Sequence, residues 1–307
     1  VRTREQFLSE RATGIGGSDA AKVLGISPYG GPLSVFMDKT GRNAETEMNE
    51  AIEMGIELED TVARVFTRRT GLKVARINKL MRHPDYPWMI ANIDRRIVGE
   101  NKGLECKTAH FMKGKQWDDD ELPSEYFCQV QHYMSVMGWS TCWIAALIGG
   151  QRFKYKEVIR NDEFIAAMID AEREFWHEYV LKDIAPIAIW CDDINSMFPR
   201  DDEAELLPAS GDDFSLLGKL LNLQQESQGL GREIDGLKNQ LRQRIGAHSG
   251  IDGIATWKRN KDATETDWKA IAYELGVSNE LINKHTETRP GARVLRLKKL
   301  MKNEEAA

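Results

Sequence analysis

No run of eighteen apolar residues occurs anywhere in the chain, which leaves no candidate for a membrane-spanning helix. The first residues, Val1-Arg2-Thr3-Arg4-Glu5-Gln6, lack the apolar core of a signal peptide, and Val1 in first place points to a missing initiator Met. Four cysteines, Cys106, Cys128, Cys142 and Cys191, form no CxxC pair. Neither a disulfide framework nor a zinc site is therefore expected, and a reducing cytoplasm suits them best. Internal repeats are absent. Excess positive charge is absent too, since the net charge is −6. That argues against a protein that coats nucleic acid indiscriminately, but not against one that confines positive potential to a cleft.

What is present is a soluble-type composition, 41% hydrophobic and 29% charged, over 307 residues, enough for one or two domains. Residues 1–190 read as mixed α and β. After the turn Gly14-Ile15-Gly16-Gly17, Ser18 is placed to cap a short helix to Leu24. Helices are predicted over 33–40 and 50–70, the second carrying Ile52, Ile56, Val62, Val65 and Phe66 at helical spacing. Strand patterns follow at 72–77, 88–91, 93–98 and 103–108, the last two joined by the turn Gly99–Gly103. A helix over 123–137, strands at 141–148 and 152–158, and a helix over 162–181 complete an α/β (α+β) pattern: a mixed central sheet flanked by helices. Residues 191–213 are acidic, carry two prolines and read as a linker. Beyond it, residues 214–307 read as a helical and basic extension. Leu216, Leu220, Leu223, Leu230, Ile234, Leu237 and Leu241 keep heptad spacing there, with Ser227 interrupting the seam. Glycines 218, 229, 231 and 236 each cost about 1 kcal/mol of helix, so a helix that needs partner packing is favoured over a free-standing coiled coil. The tail Arg293–Lys299 alternates like a basic edge strand.

One spacing carries chemistry: Asp94, then Glu105-Cys106-Lys107. Alternate residues of a strand share a face, so Glu105 and Lys107 project together while Cys106 points away. The hairpin returns the chain beside Asp94. Two carboxylates and an ammonium on one spot suit phosphodiester hydrolysis, the carboxylates as hard ligands for Mg²⁺ and the lysine to orient or deprotonate water. A cross-strand salt bridge on a solvated face fits the same spacing. The apolar neighbours Leu104, Ala91 and Ile93 tip the balance, because interior charges need a reason.

With its context, this set resembles the PD-(D/E)xK nuclease signature, in the lambda-exonuclease or YqaJ-like viral recombinase branch. The resemblance spans roughly residues 8 to 185 and rests on four ordered blocks: Gly14–Ala21, Gly55-Ile56-Glu57-Leu58-Glu59, the Asp94/Glu105-Cys106-Lys107 set, and Gln129–Met134. It implies a restriction-endonuclease-like core with Asp94, Glu105 and the Cys106 carbonyl as metal ligands. It further implies Glu59 near the metal, directly or through water, Lys107 as the catalytic lysine, and Gln129 as a positioning group with Gln131 as the competing register. Arg11 and Ser18 match the positions that bind a terminal 5′-phosphate. Ile93 stands where the motif has proline, and Arg95-Arg96 stand where small residues are frequent. The implied activity is Mg²⁺-dependent digestion of double-stranded DNA from its ends, 5′ to 3′, with Mn²⁺ able to substitute. The implied partners are DNA ends, a single-strand annealing recombinase and further copies of the chain in a trimer. An endonuclease or nickase on the same core, or a non-catalytic DNA-end-binding module, are the rival readings. Relatives with an iron–sulfur cluster need paired cysteines, which this chain lacks.

Lesser candidates are Lys113 and Lys115, a short basic loop placed for phosphates or simply solvated, and Trp117, which lies in a polar segment where DNA contact is an option. His132 reads as structural or solvent-facing. Trp88, Trp139, Trp143 and Trp176 read as core.

Overall fold

In the computed structural model, which describes residues 4–42, 50–118, 122–198, 206–261 and 265–287, the chain divides into two units, Val1–Arg200 and Asp201–Ala307. The first unit opens with helices α1 (Arg4–Ala12), α2 (Gly17–Val23), α3 (Pro32–Lys39) and α4 (Glu50–Thr70). Strands β1 (Val74–Arg76), β2 (Met81–Arg82), β3 (Ile90–Ala91), β4 (Arg95–Ile97) and β5 (Gly103–Ala109) follow, then a 3-10 helix over Phe111–Trp117. Helix α5 (Ser124–Met137) crosses to β6 (Thr141–Ile148), which turns into β7 (Arg152–Ile159); α6 (Asp162–Glu174) and α7 (Cys191–Met197) close the unit.

The sheet runs β1-β4-β5-β6-β7, with β5 and β6 parallel and all other neighbours antiparallel. A parallel pair requires a crossover, and α5 provides it. Pairs β2 and β3 form a separate two-stranded sheet, so the strand expected at 88–91 lies outside the main sheet. Each sheet face is covered. On one side Leu104, Ala145 and Ile97 meet Val62 and Phe66 of α4. On the other, Ile144, Ala146 and Cys142 pack among residues of α2, α3, α5 and α6. Such double coverage explains why β6 reads as an unbroken apolar run. Gly103 sits beneath the ring of Trp139, where a Cβ would lie 2.1 Å from Cζ3.

Three differences from the sequence expectations have physical causes. Helix α2 is capped by Gly16, whose N–H donates to Asp19 Oδ2 at 3.0 Å, so Ser18 is not the cap. The helix expected over 162–181 leaves α geometry at Phe175 for a π turn through Val180, which seats Phe175 and Trp176 in the core. Residues 191–197 of the expected linker are helical and docked: Asp193 Oδ2 accepts from Gly31 N at 2.9 Å in the interior.

In the second unit, α8 (Gly211–Ile245) is one continuous helix, followed by the hairpin β8 (Gly250–Ile251) and β9 (Ala255–Thr256) and by α9 (Trp268–Glu274) and α10 (Asn279–Lys284). Ser210 and Asp213 cap α8 reciprocally, and Asp212 at its start and Arg242 and Arg244 at its end complement its dipole. The tail Arg293–Lys299 lies outside the described residues. No helix among the described residues is long and apolar enough to cross a membrane.

A buried ion cluster ties the first three helices together. Asp19, fully buried, accepts from Lys39 Nζ at 2.6 Å and from Arg11 Nη2 at 2.7 Å, and Lys39 also donates to the Arg11 carbonyl at 3.0 Å. Burial works to raise the Asp19 carboxyl, but Lys39 and Arg11 outweigh it and hold the group well below the usual carboxylate range. An acid depressed on folding stabilises the fold above its unfolded pKa, about 3.9, and that stability is lost as pH falls through the folded value. Urea unfolding across acid pH should therefore show stability declining below about pH 4, and Asp19→Asn should flatten this decline. The same substitution strands Lys39 and should lower stability at neutral pH by about 3–5 kcal/mol. An unchanged midpoint at pH 7 would refute the cluster.

Candidate active site

Asp94 lies one residue before β4, and the β4–β5 hairpin brings it against β5 with Arg95 paired to Leu104. Its Oδ2 accepts the Cys106 N–H at 2.8 Å. From β5, Glu105 and Lys107 project to the face covered by α5. Lys107 Nζ is 2.7 Å from Glu105 Oε1. Gln129 of α5 donates to the same oxygen at 2.7 Å and to the Tyr133 hydroxyl at 2.8 Å. Tyr133 in turn donates to the Asn92 carbonyl at 3.0 Å, two residues before Asp94. Tyr126 lies under the lysine, its ring centroid 5.4 Å from Nζ. Asp94, Glu105 and Lys107 are thus brought together as the spacing predicted, and Gln129, which the resemblance offered with Gln131 as the alternative, joins them.

The electrostatics of this group are unusual. Burial first, and then the neighbouring Glu105 within hydrogen-bonding reach, push the Asp94 carboxyl up to about 8. Burial opposes the charge on Lys107, but Glu105 and Asp94 outweigh it and raise the ammonium's pKa. With both acids ionised neither can donate, and Glu105 Oε2 is left buried with no hydrogen-bond partner. The pair lacks either a proton or a cation. Hard carboxylate oxygens, one of them orphaned, fit a divalent ion such as Mg²⁺. Among the described residues no group of three or more His, Cys, Asp or Glu side chains is set to hold a metal. Two acids can hold one only with carbonyl, water or phosphate oxygens completing the shell.

Glu59, on α4, lies close enough to Asp94 to be raised by burial and then by that charge. Its Oε1 is paired with Arg95, which also binds Asp60 at 2.6 Å. Arg95 is only 3% exposed, so the first arginine after Asp94 is an internal tie to α4 and not a surface group. Sequence reasoning missed this role. The alternation of β4, buried at Arg95 and Ile97 and exposed at Arg96, carried the signal.

Other expected residues fall elsewhere. Gln131 is fully buried with both ends engaged, donating to the Ile159 carbonyl at 2.8 Å and accepting from Asn161 N at 2.9 Å. It clamps β7 to α6 and does not face Glu105; Gln129 holds that place. Trp117 is 1% exposed and stacks near Tyr126 in the core, which removes it as a DNA contact. His132 is buried between Glu172 and the Ile90 carbonyl, each at 2.9 Å. Lys113 lies over the ring of Tyr29 and contacts its hydroxyl, while Lys115 is exposed. At the N-terminal block, Ser18 is exposed and its Oγ accepts from Arg11 Nη2 at 3.2 Å. Asn92, Tyr126 and Lys39 were not singled out by the sequence, and Tyr133 entered only as a member of the Gln129–Met134 block.

Comparison with known proteins bears on this geometry. Residues 6–140 match the YqaJ-like viral recombinase domain. Over 187 residues the chain is 45% identical to the uncharacterized protein YqaJ of Bacillus subtilis (strain 168), an alignment spanning 60% of this chain and 59% of that protein. Among solved structures, the alkaline exonuclease LHK-Exo from Laribacter hongkongensis gives a TM-score of 0.49 at 21% identity, over 59% of this chain and 94% of that one. The same protein in complex with dAMP gives 0.50 at the same identity and coverage, a likeness of fold. The likeness to the YqaJ-like viral recombinase domain is thus confined to residues 6–140, and the chain spans about three fifths of the length of the curated relative it matches.

Proposed function

We propose that the chain is a Mg²⁺-dependent deoxyribonuclease that degrades double-stranded DNA from its ends, 5′ to 3′, and exposes a 3′ strand for a single-strand annealing recombinase. The observation that carries this reading is the contact between Asp94 and Glu105, with an orphaned carboxylate oxygen, beside Lys107. Asp94, Glu105 and the Cys106 carbonyl would hold the cation, and Glu59 would stand behind them through water. When bound, Mg²⁺ would neutralise charge on a phosphate and make water at the site more acidic. Mn²⁺ would substitute. Because its surroundings favour the charged form, Lys107 acts as a proton donor and fixed positive charge: it orients water or a phosphate oxygen and does not deprotonate them. Gln129 fixes the rotamer of Glu105 by occupying Oε1, which leaves Oε2 for the cation. Arg95 keeps Glu59 from swinging onto Asp94.

For the DNA end, the exposed hydroxyl of Ser18 beside the Arg11 guanidinium suits a terminal 5′-phosphate. Lys115 and Lys113 lie past the C-terminal end of β5 and would meet the backbone further along.

Two outcomes are expected. A duplex labelled separately at each end should be degraded from the 5′ termini with Mg²⁺ and left intact with chelator. Glu105→Gln or Lys107→Ala should lower the rate by at least about 100-fold in protein whose circular dichroism shows the fold retained. Rapid loss of covalently closed circles would sink the exonuclease reading, and undiminished digestion by Glu105→Gln would sink the site. Separately, Ser18→Ala should narrow the preference for 5′-phosphorylated over 5′-hydroxyl ends by roughly 10-fold, while leaving the slow digestion of hydroxyl ends as it was; an unchanged preference would remove Ser18 from the end-binding site.

A further inference from the structure

The feature that the nuclease reading does not use is the apolar seam of α8. Leu216, Leu223, Leu230 and Leu237 recur every seventh residue, with Leu220, Ser227, Ile234 and Leu241 four residues after each. In heptad terms the first set occupies d and the second a. Six of these side chains are exposed by 39% or more: Leu216, Leu223, Leu230, Ile234, Leu237 and Leu241. The glycines at 218, 229, 231 and 236 all fall outside a and d, so Ser227 alone interrupts the seam, but they weaken the helix as a solitary element. A helix of this length, held by neither burial nor propensity, requires a partner.

We propose that α8 pairs with α8 of a second copy of this chain as a parallel, in-register, two-stranded coiled coil over residues 216–241. Three observations select that occupant. Leucine fills every d position, and the one β-branched residue of the seam, Ile234, stands at a, where two strands favour it. The flanking charges choose direction. In a parallel pair Glu233 at g meets Lys238 at e of the second copy, and no like charges meet. The antiparallel arrangement that overlaps the whole seam sets Glu226 against Glu233 of the second copy, a repulsion. Finally, Ser227 at a is a polar layer that is tolerated opposite itself and so fixes register. The pairing stands independently of the proposed nuclease chemistry.

Sedimentation equilibrium of the full chain should give twice the chain mass. Leu223→Lys with Leu230→Lys should weaken the dimer by at least about 100-fold, whereas Gln225→Lys with Asn239→Lys, on the opposite face, should leave it unchanged. Since lysine in the seam can also loosen α8 itself, a surface charge series provides the second measure. Lys238→Glu should weaken association, and adding Glu233→Lys should restore it. Ser227→Cys should cross-link to itself on mild oxidation. A monomer at all concentrations would overturn the proposal, as when the seam folds onto its own chain. So would a ring of three that survives the seam variants, or a dimer in which Ser227→Cys fails to cross-link.

Discussion

Two carboxyl groups held in contact inside a protein are the constraint around which the first unit is arranged. Asp94 and Glu105 would separate if either strand were free to slide, since burial and mutual repulsion together lift Asp94 to about 8. They stay together because the hairpin pairing, Arg95 to Leu104 and Arg96 to Gly103, leaves no slack between them. Charges of the other sign then bracket the pair, Lys107 on the α5 side and Arg95 on the α4 side, where it is tied to Glu59 and Asp60. Neither cation touches both acids. Glu105 Oε2 is left buried without a hydrogen-bond partner.

Helix α5 turns this local problem into a global one. Gln129 reaches Glu105, Gln131 binds the end of β7 and the start of α6, His132 bridges Glu172 and the Ile90 carbonyl, and Tyr133 holds the Asn92 carbonyl. Four side chains within five positions thus reach the sheet, helix α6 and the strand preceding Asp94. A buried helix can use every side in this way only when each polar group finds its partner.

Much of this was legible in the sequence. Alternation along β5 placed Glu105 and Lys107 on one face, and the glycine-rich turn placed Asp94 beside them, because strand period and turn chemistry are local properties. The choice between Gln129 and Gln131 was not local. Residues 128–136 are all buried, so helical periodicity offered no exposed face to orient against. The role of Arg95 was hidden for a similar reason: its partners lie 35 and 36 positions upstream on α4, beyond any local pattern. The cap of α2 misled because the helix begins at Gly17, one residue before Ser18, and Asp19 reaches back to the Gly16 N–H.

Gly17 has a consequence that reaches past its own turn. A Cβ there would lie 2.5 Å from Cε1 of Tyr133 and 3.1 Å from the Gln129 carbonyl, so the backbone of α2 rests directly on the ring that steadies Gln129. The N-terminal block carrying Ser18 and the acids of the sheet are therefore separated by a wall one aromatic ring thick. Loops can lengthen or drift around such a wall, but its thickness is set by covalent geometry. The spacing across it behaves as a fixed gauge built into the first unit, insensitive to whatever surrounds it.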